Sequence, residues 1–414
     1  MIDYELHTLS NGLRVAVNRD RRSKLAALSI LYKVGARDES PERTGFAHLF
    51  EHLMFRGTRR VPDFDAPVQL ACGENNAFTN NDYTDFYMTL PTDNLPLAMW
   101  LEADRMTGLD IDTERLETEK RVVVEEFKER YLNRPYGDMT MLLRSLAYRV
   151  HPYRWATIGL SPEHIAGASL DEVRSFYRRH YRPSNAVLAI SADMEPERIF
   201  GMAETYFSDI QDDGGLQKKP LPQEPPQTEA RRMEVERDVP ATVVTLAFHI
   251  GGRTSRDFFL GDLVSDLLAG GESSRLYNNL VKGRRLFSSV NAYVTGEIDP
   301  GLFVFTGELL AGVEPSHGEE AFWDEIARLQ NERTHDYELE KVRNKFEANA
   351  AFGELNVLNK ALNLCIYDAL GDITLINREV GIYRSLTADD IIEYSRRIFT
   401  RSRCSTLIYK SSAR

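Results

Sequence analysis

The sequence predicts a duplicated α+β protein: two units of about 200 residues, each mixing strands and helices. Two internal matches and one change of composition predict it. Ser169–Ile190 aligns without gaps on Thr387–Ile408, an offset of 218 residues, and the Arg-Arg pairs 178–179 and 396–397 coincide. Ala26–Gly35 matches Val243–Gly252 at an offset of 217. Between the copies runs a polar, proline-rich stretch. It spans Asp212-Asp213-Gly214-Gly215, Lys218-Lys219-Pro220, Pro222, Pro225 and Pro226, and reads as a connector over residues 211–230. The expected domains are therefore 1–210 and 231–414.

Taken in order, residues 5–18 alternate around Asn11-Gly12, a tight-turn signal between two short strands. Ala26–Val34 reads as a buried strand that stops at Gly35. Thr44-Gly45 open a helix that closes near Gly57. Residues 76–90, rich in Thr, Tyr and Phe, read as two strands or one bent strand. A helix over Asn94–Gly108 follows, with Leu97, Trp100 and Leu101 on one face. The next helix starts at Asp112, an N-cap residue, and stops at Asn133-Arg134-Pro135. Ser169-Leu170-Asp171-Glu172 is a capping box opening a further helix. Tyr181–Asn185 is then a turn and Ala186–Ser191 a strand.

Hydrophobic residues at 42% and charged residues at 28% fit a globular chain with a sizeable core. The net charge of −12 argues against a nucleic-acid partner. No apolar run reaches the ~18 residues of a membrane helix. Met1-Ile2-Asp3-Tyr4-Glu5 lacks the basic and apolar regions of a secretory signal, so the expectation is a cytoplasmic protein, or a periplasmic one after removal of a signal. Cys72, Cys365 and Cys404 are too few and too scattered for a disulfide framework or a thiolate zinc site.

The chemistry concentrates in the first helix, at His48-Leu49-Phe50-Glu51-His52. Histidines four apart stack on one helical face and can grip one metal ion. Glu51 borders that face, where a carboxylate can take the proton of a water held by the metal. The order reverses H-E-x-x-H and is itself a zinc-peptidase pattern. A third ligand is needed. The helix after Asp112 puts Glu119, Val122, Val123, Glu126 and Arg130 on one face. Carboxylates on a face packed against a core are costly unless a cation compensates them, and Glu126 is the expected ligand. Glu125 and Glu129 read as solvated. The remaining histidines have no partner at ligand spacing. Carried into the second half, the offset lands on Asp262–Asp266, without histidine, so only the first half can hold the metal.

These residues resemble the pitrilysin-type inverted zinc peptidases, the family of mitochondrial processing peptidase and insulin-degrading enzyme. The resemblance includes His48-x-x-Glu51-His52, the carboxylate helix, Asn76-Ala77-Phe78-Thr79, His151-Pro152-Tyr153 and Tyr181-x-Pro183-x-Asn185. It implies one Zn²⁺ per chain held by His48, His52 and Glu126, with Glu51 as general base and Glu119 as a supporting partner of the ligands. It implies two homologous α/β sandwich domains, each a mostly antiparallel sheet with helices packed on it, and a clamshell chamber usually closed by two chains. Asn76, Ala77, Phe78 and Thr79 would form the sheet edge to which a peptide substrate adds as a strand.

One stretch departs from the pattern. Active members use an Arg and a Tyr, seven residues apart, from a C-terminal domain facing the zinc. Here Val281 and Ser288 stand in those places, while Arg275 and Tyr277 are wrongly spaced. The expectation is a heterodimer in which a related chain supplies that pair, with a homodimer as second choice. A different class, a non-catalytic scaffold subunit of a larger complex, is the alternative. Zinc content separates the two.

Overall fold

The computed structural model describes residues 1–212 and 220–412. Part of the expected connector, Asp213 through Lys219, lies outside the described residues. The chain forms two compact units, neither contiguous in sequence. The first comprises Met1–Arg130, Trp155–Leu221 and Ala351–Asn377; the second comprises Tyr131–Arg154, Pro222–Ala350 and Arg378–Arg414.

The first unit is built on strands β1 (Glu5–Thr8), β2 (Arg14–Arg19), β3 (Leu25–Tyr32), β4 (Glu74–Thr79), β5 (Thr84–Pro91) and β6 (Ala186–Ala192). Their spatial order is β1-β2-β6-β3-β5-β4, and only β2 and β6 run parallel. Gly12, at φ +90°, makes the β1–β2 turn where Asn-Gly predicts it. The Thr- and Tyr-rich segment is two strands, β4 and β5. Between them Asn80 Oδ1 accepts the N–H groups of Asp82 (2.7 Å) and Tyr83 (2.9 Å) and folds the turn.

Every residue of β6, and every residue of β3 after Leu25, is buried, so both faces of the sheet are covered. One cover is the helix Val357–Ala369, drawn from the far end of the sequence and packed on β2, β3, β5 and β6. Its apolar contacts are reinforced by ion pairs to two buried carboxylates. Lys360 bonds Asp20, and the Asp368 carboxylate accepts from Arg14 Nε at 2.8 Å. Breaking a fully buried pair costs about 3–5 kcal/mol; Asp20 and Asp368 each keep a second cation, Arg22 and Lys33, which lowers that cost.

The second unit repeats this plan with β7 (Arg231–Arg237), β8 (Val243–His249), β9 (Phe287–Val294), β10 (Leu302–Leu309) and β11 (Ser405–Ser411). The order β7-β11-β8-β10-β9, with only β7 and β11 parallel, is that of the first unit without β1. Capping boxes at Ser169/Glu172 and Thr387/Asp390 open corresponding helices. The helix Met139–Ala147, from the first half of the chain, packs on β7, β8 and β11. Leu143 and Ala147 join Ala247, Leu302, Val304 and Leu407 in one buried cluster. Each unit thus borrows a helix from the other half of the sequence.

The apolar spacing of two helices does not by itself fix their buried faces. The helix Leu95–Thr107 buries Leu95, Ala98, Met99, Leu101 and residues 102–106, while Leu97 and Trp100 are only half-buried. The stripe is carried by an internal pair: Arg105 Nε donates to Glu102 at 2.6 Å and its guanidinium lies 4.2 Å from the Phe86 ring centroid. In the helix Thr113–Phe127 the buried stripe is Leu116, Glu119, Lys120, Val123 and Phe127, so Val122 is left exposed.

Candidate metal centre

The motif helix spans Phe46–Phe55. Its buried face holds Phe46, Ala47, Leu49, Phe50, Leu53 and Met54. Phe50 stacks on Phe176 and Tyr181, with ring centroids 5.2 and 5.1 Å away, which fixes the helix against its neighbour Leu170–His180. The chain enters through Gly45 at φ +90°, where a Cβ would come within 2.6 Å of the Ile158 carbonyl oxygen. With the apolar face spent on packing, His48 and His52 fall together on the remaining one, their ring centroids 4.9 Å apart.

The second contributor is the helix Thr113–Phe127, opened by Asp112, whose side chain accepts the Arg115 N–H at 2.8 Å. It continues as a π-helical turn over Lys128–Leu132. Among the described residues, His48, His52 and Glu126 form the one group able to offer a metal three ligand atoms, all within 4.8 Å of one another. His52 Nε2 lies 3.2 Å from Glu126 Oε2, and His48 Nε2 lies 3.7 Å from Glu126 Oε1. Donors bonded at about 2.0–2.2 Å in a tetrahedron stand roughly 3.3–3.5 Å apart. The two imidazole–carboxylate spacings therefore suit a shared zinc ion.

Charged partners surround the three. Glu119, 2% exposed, reaches His52 Nδ1 at 3.6 Å and bonds Arg56. Arg130 Nη1 donates to Glu126 Oε1 at 2.9 Å. Burial pushes His48 down to about 4, against the pull of Glu126. Burial also disfavours charge on His52, but its hydrogen bonds to Glu119 and Glu126 prevail and raise it to about 9. Burial raises the Glu51 carboxyl, while a hydrogen bond from Thr79 opposes the rise.

Glu51 and His52 open onto a cavity of about 530 Å³ shared with Phe55, Arg56, Pro62, Asp63, Asp65 and Glu119. Asn76, Ala77, Phe78 and Thr79 lie on β4, the edge strand of the sheet, so no strand among the described residues pairs with its outer backbone groups. Thr79 connects this edge to Glu51. Asn75 Nδ2 donates to Asp65 Oδ1 at 3.0 Å, tying the edge to the cavity wall.

Sequence reasoning missed Arg56, although it stands four residues after His52 and so extends the same helical stripe. It also missed Asp63 and Asp65, which reach the cavity only through the fold. Val281 lies in the π-helical segment Tyr277–Gly283 and Ser288 in β9, while Arg275 is committed to Glu338 at 2.7 Å. In the second unit the helix Arg256–Ala269 replaces the motif helix. There Asp266 bonds Lys345 Nζ at 2.7 Å and Asp262 accepts from the Tyr383 hydroxyl at 2.5 Å. An ammonium and a hydroxyl satisfy these carboxylates without a metal. His249 and His164 likewise have structural partners, the Ala147 carbonyl at 2.9 Å and the Thr44 hydroxyl at 2.8 Å.

The fold agrees with the relatives found by comparison. Residues 14–159 match the family described as Insulinase (Peptidase family M16), and residues 167–346 match the Peptidase M16 inactive domain. The chain belongs to peptidase family M16 and carries one domain of each type. It is 28% identical to the zinc protease PqqE of Helicobacter pylori, over 98% of this chain and 93% of that protein. It is 26% identical to a zinc protease of Streptomyces coelicolor, over 95% of this chain and 87% of that one. The crystal structure of a protease from Helicobacter pylori superposes with a TM-score of 0.93 at 26% identity, covering 99% of this chain and all of that one.

Proposed function

We propose that this chain is a zinc metalloendopeptidase of the M16 type and the metal-bearing subunit of a heterodimer. The observation that carries the reading is the convergence of His48, His52 and Glu126 from two helices, beside a carboxylate that is not itself a ligand. These three residues would hold one Zn²⁺. A bound zinc ion supplies Lewis acidity, polarising a peptide carbonyl and making water a stronger acid near neutral pH.

The chain's own residues do the rest. Glu51, raised by burial, accepts the proton of the attacking water and returns it to the leaving amine. Glu119 and Arg56 hold the Nδ1 side of His52 and fix the direction of its ring. The β4 edge, with Asn76–Thr79, receives an extended peptide through main-chain hydrogen bonds and aims it past Glu51. Such binding selects peptides and unfolded segments, because a folded substrate has no free strand to add.

Val281 and Ser288 offer neither cation nor phenol for a developing oxyanion, which is why a related chain is proposed to supply the Arg and Tyr. The test is peptide hydrolysis by the zinc-loaded chain alone and after reconstitution with the related chain co-purifying from its source. Zinc at about one per chain with activity only in the pair supports the reading. Full activity from the single chain removes the heterodimer, and a zinc-free chain removes the peptidase.

A further inference from the structure

We propose that Glu39, outside every motif, is a positioning residue for the metal centre: it clamps the first turn of the motif helix and thereby aims His48. The inference rests on the zinc reading above.

The two histidines are held differently. His52 has the Glu119 carboxylate behind Nδ1, the usual way a metal-binding imidazole is oriented. Among the described residues His48 has nothing of the kind: its Nδ1 is buried and makes no hydrogen bond. The direction of its ring must therefore come from its backbone, in the first turn of the helix. That turn begins at Gly45, which has no side chain to cap it. The missing cap comes from Glu39, six residues upstream and 8% exposed. One carboxylate oxygen accepts the Gly45 N–H at 2.8 Å and the other accepts the Ala47 N–H at 2.8 Å. Ala47 immediately precedes His48. Burial pushes the Glu39 carboxyl up to about 8, while the backbone N–H groups of Ala47 and Gly45 and the positive end of the helix dipole favour its charged form.

The rest of the entry is equally fixed. Trp155 Nε1 donates to the Ala36 carbonyl at 2.9 Å, and the Thr44 hydroxyl accepts the Leu160 N–H at 2.8 Å. Glu39 is thus a buried acid whose two oxygens are both committed to the backbone that carries the first ligand. Replacing it by glutamine leaves at most one of the two N–H groups with an acceptor and lets the first turn rotate.

The experiment is Zn²⁺ competition against a chromophoric chelator, on the metal-free full chain, for wild type, Glu39→Gln, Glu39→Asp and Glu172→Gln. Co²⁺ absorption spectra and thermal midpoints are recorded alongside. Glu172 also caps a helix, through Ser169, on Leu170–His180 rather than the motif helix, and its other oxygen accepts from Arg43 Nε at 2.9 Å in an exposed pair, so it controls for loss of a cap together with that surface pair. Glu39→Gln is expected to bind Zn²⁺ about 10–100-fold more weakly, the range for partners that orient a ligand, with an altered Co²⁺ band. Glu39→Asp, which keeps two acceptor oxygens, loses less, and Glu172→Gln loses nothing. A folded Glu39→Gln chain with wild-type affinity and spectrum overturns the clamp. So does an equal loss in Glu172→Gln. Should Glu39→Gln not fold, Glu39→Asp decides in its place, and wild-type affinity and spectrum in that variant overturn the clamp. A wild-type chain that binds no Zn²⁺ overturns the metal reading beneath it.

Discussion

Zinc affinity should rise steeply with pH, because one of the two histidines enters the reaction protonated. His48, pushed down to about 4 by burial, is already neutral at pH 7. Despite burial, His52 is raised to about 9 by its hydrogen bonds to Glu119 and Glu126, so it carries a proton there. A zinc ligand must be the neutral imidazole, so binding at pH 7 releases about one proton. The affinity then climbs about tenfold per pH unit and levels near pH 9, for a total gain of roughly 50-fold between pH 7 and 9. The sign for stability is opposite. A histidine raised above its unfolded value stabilises the metal-free fold fully below about pH 6.5 and loses that contribution as pH climbs through about 9. The shift sets an upper bound of about 3 kcal/mol. Calorimetric titration of the metal-free chain with Zn²⁺, in buffers of different ionisation enthalpy, counts the proton directly. A count near zero at pH 7, with affinity flat from pH 6.5 to 8.5, would refute the reasoning, since His52 would then be neutral between its two carboxylates.

Other outcomes are specific to single residues. Glu51→Gln should keep about one zinc per chain, by elemental analysis, and lose peptide hydrolysis by at least the 10²–10⁴-fold of a general base. Glu126→Ala should lose the metal while the chain stays folded by circular dichroism. Lys360→Met should destabilise the first unit by about 2–3 kcal/mol in urea, somewhat less than a fully broken buried pair, because Arg22 Nε still donates to Asp20 at 2.9 Å. Gly45→Ala should lower the thermal midpoint, because the left-handed φ of +90° and the Ile158 carbonyl at 2.6 Å both oppose a Cβ.

What the sequence made legible was whatever lies close along the chain or repeats within it. His48, Glu51 and His52 sit on one helix, so their common face follows from helical geometry alone. The duplication was legible from two offsets, and the two sheets share one strand order. Glu126 needed more: it stands 74 residues beyond His52, and only the cost of burying a carboxylate marked it out. The exchanged helices Met139–Ala147 and Val357–Ala369 were not legible, because periodicity shows that a helix has an apolar face and not which sheet receives it. Val122 shows the same limit at one residue. The Val122-Val123-Val124 run suggests a buried strip, yet a helix that buries Glu119, Val123 and Phe127 turns Val122 outward. Glu39 was invisible for another reason. Its partners are backbone N–H groups, which leave no trace in the residue types around it.

The most direct measurement is anomalous diffraction across the zinc absorption edge, on crystals of the chain purified without added metal. The account predicts one peak, within about 2.0–2.2 Å of a nitrogen of His48, a nitrogen of His52 and an oxygen of Glu126. A zinc peak elsewhere, or no peak with these three side chains pointing apart, would contradict it.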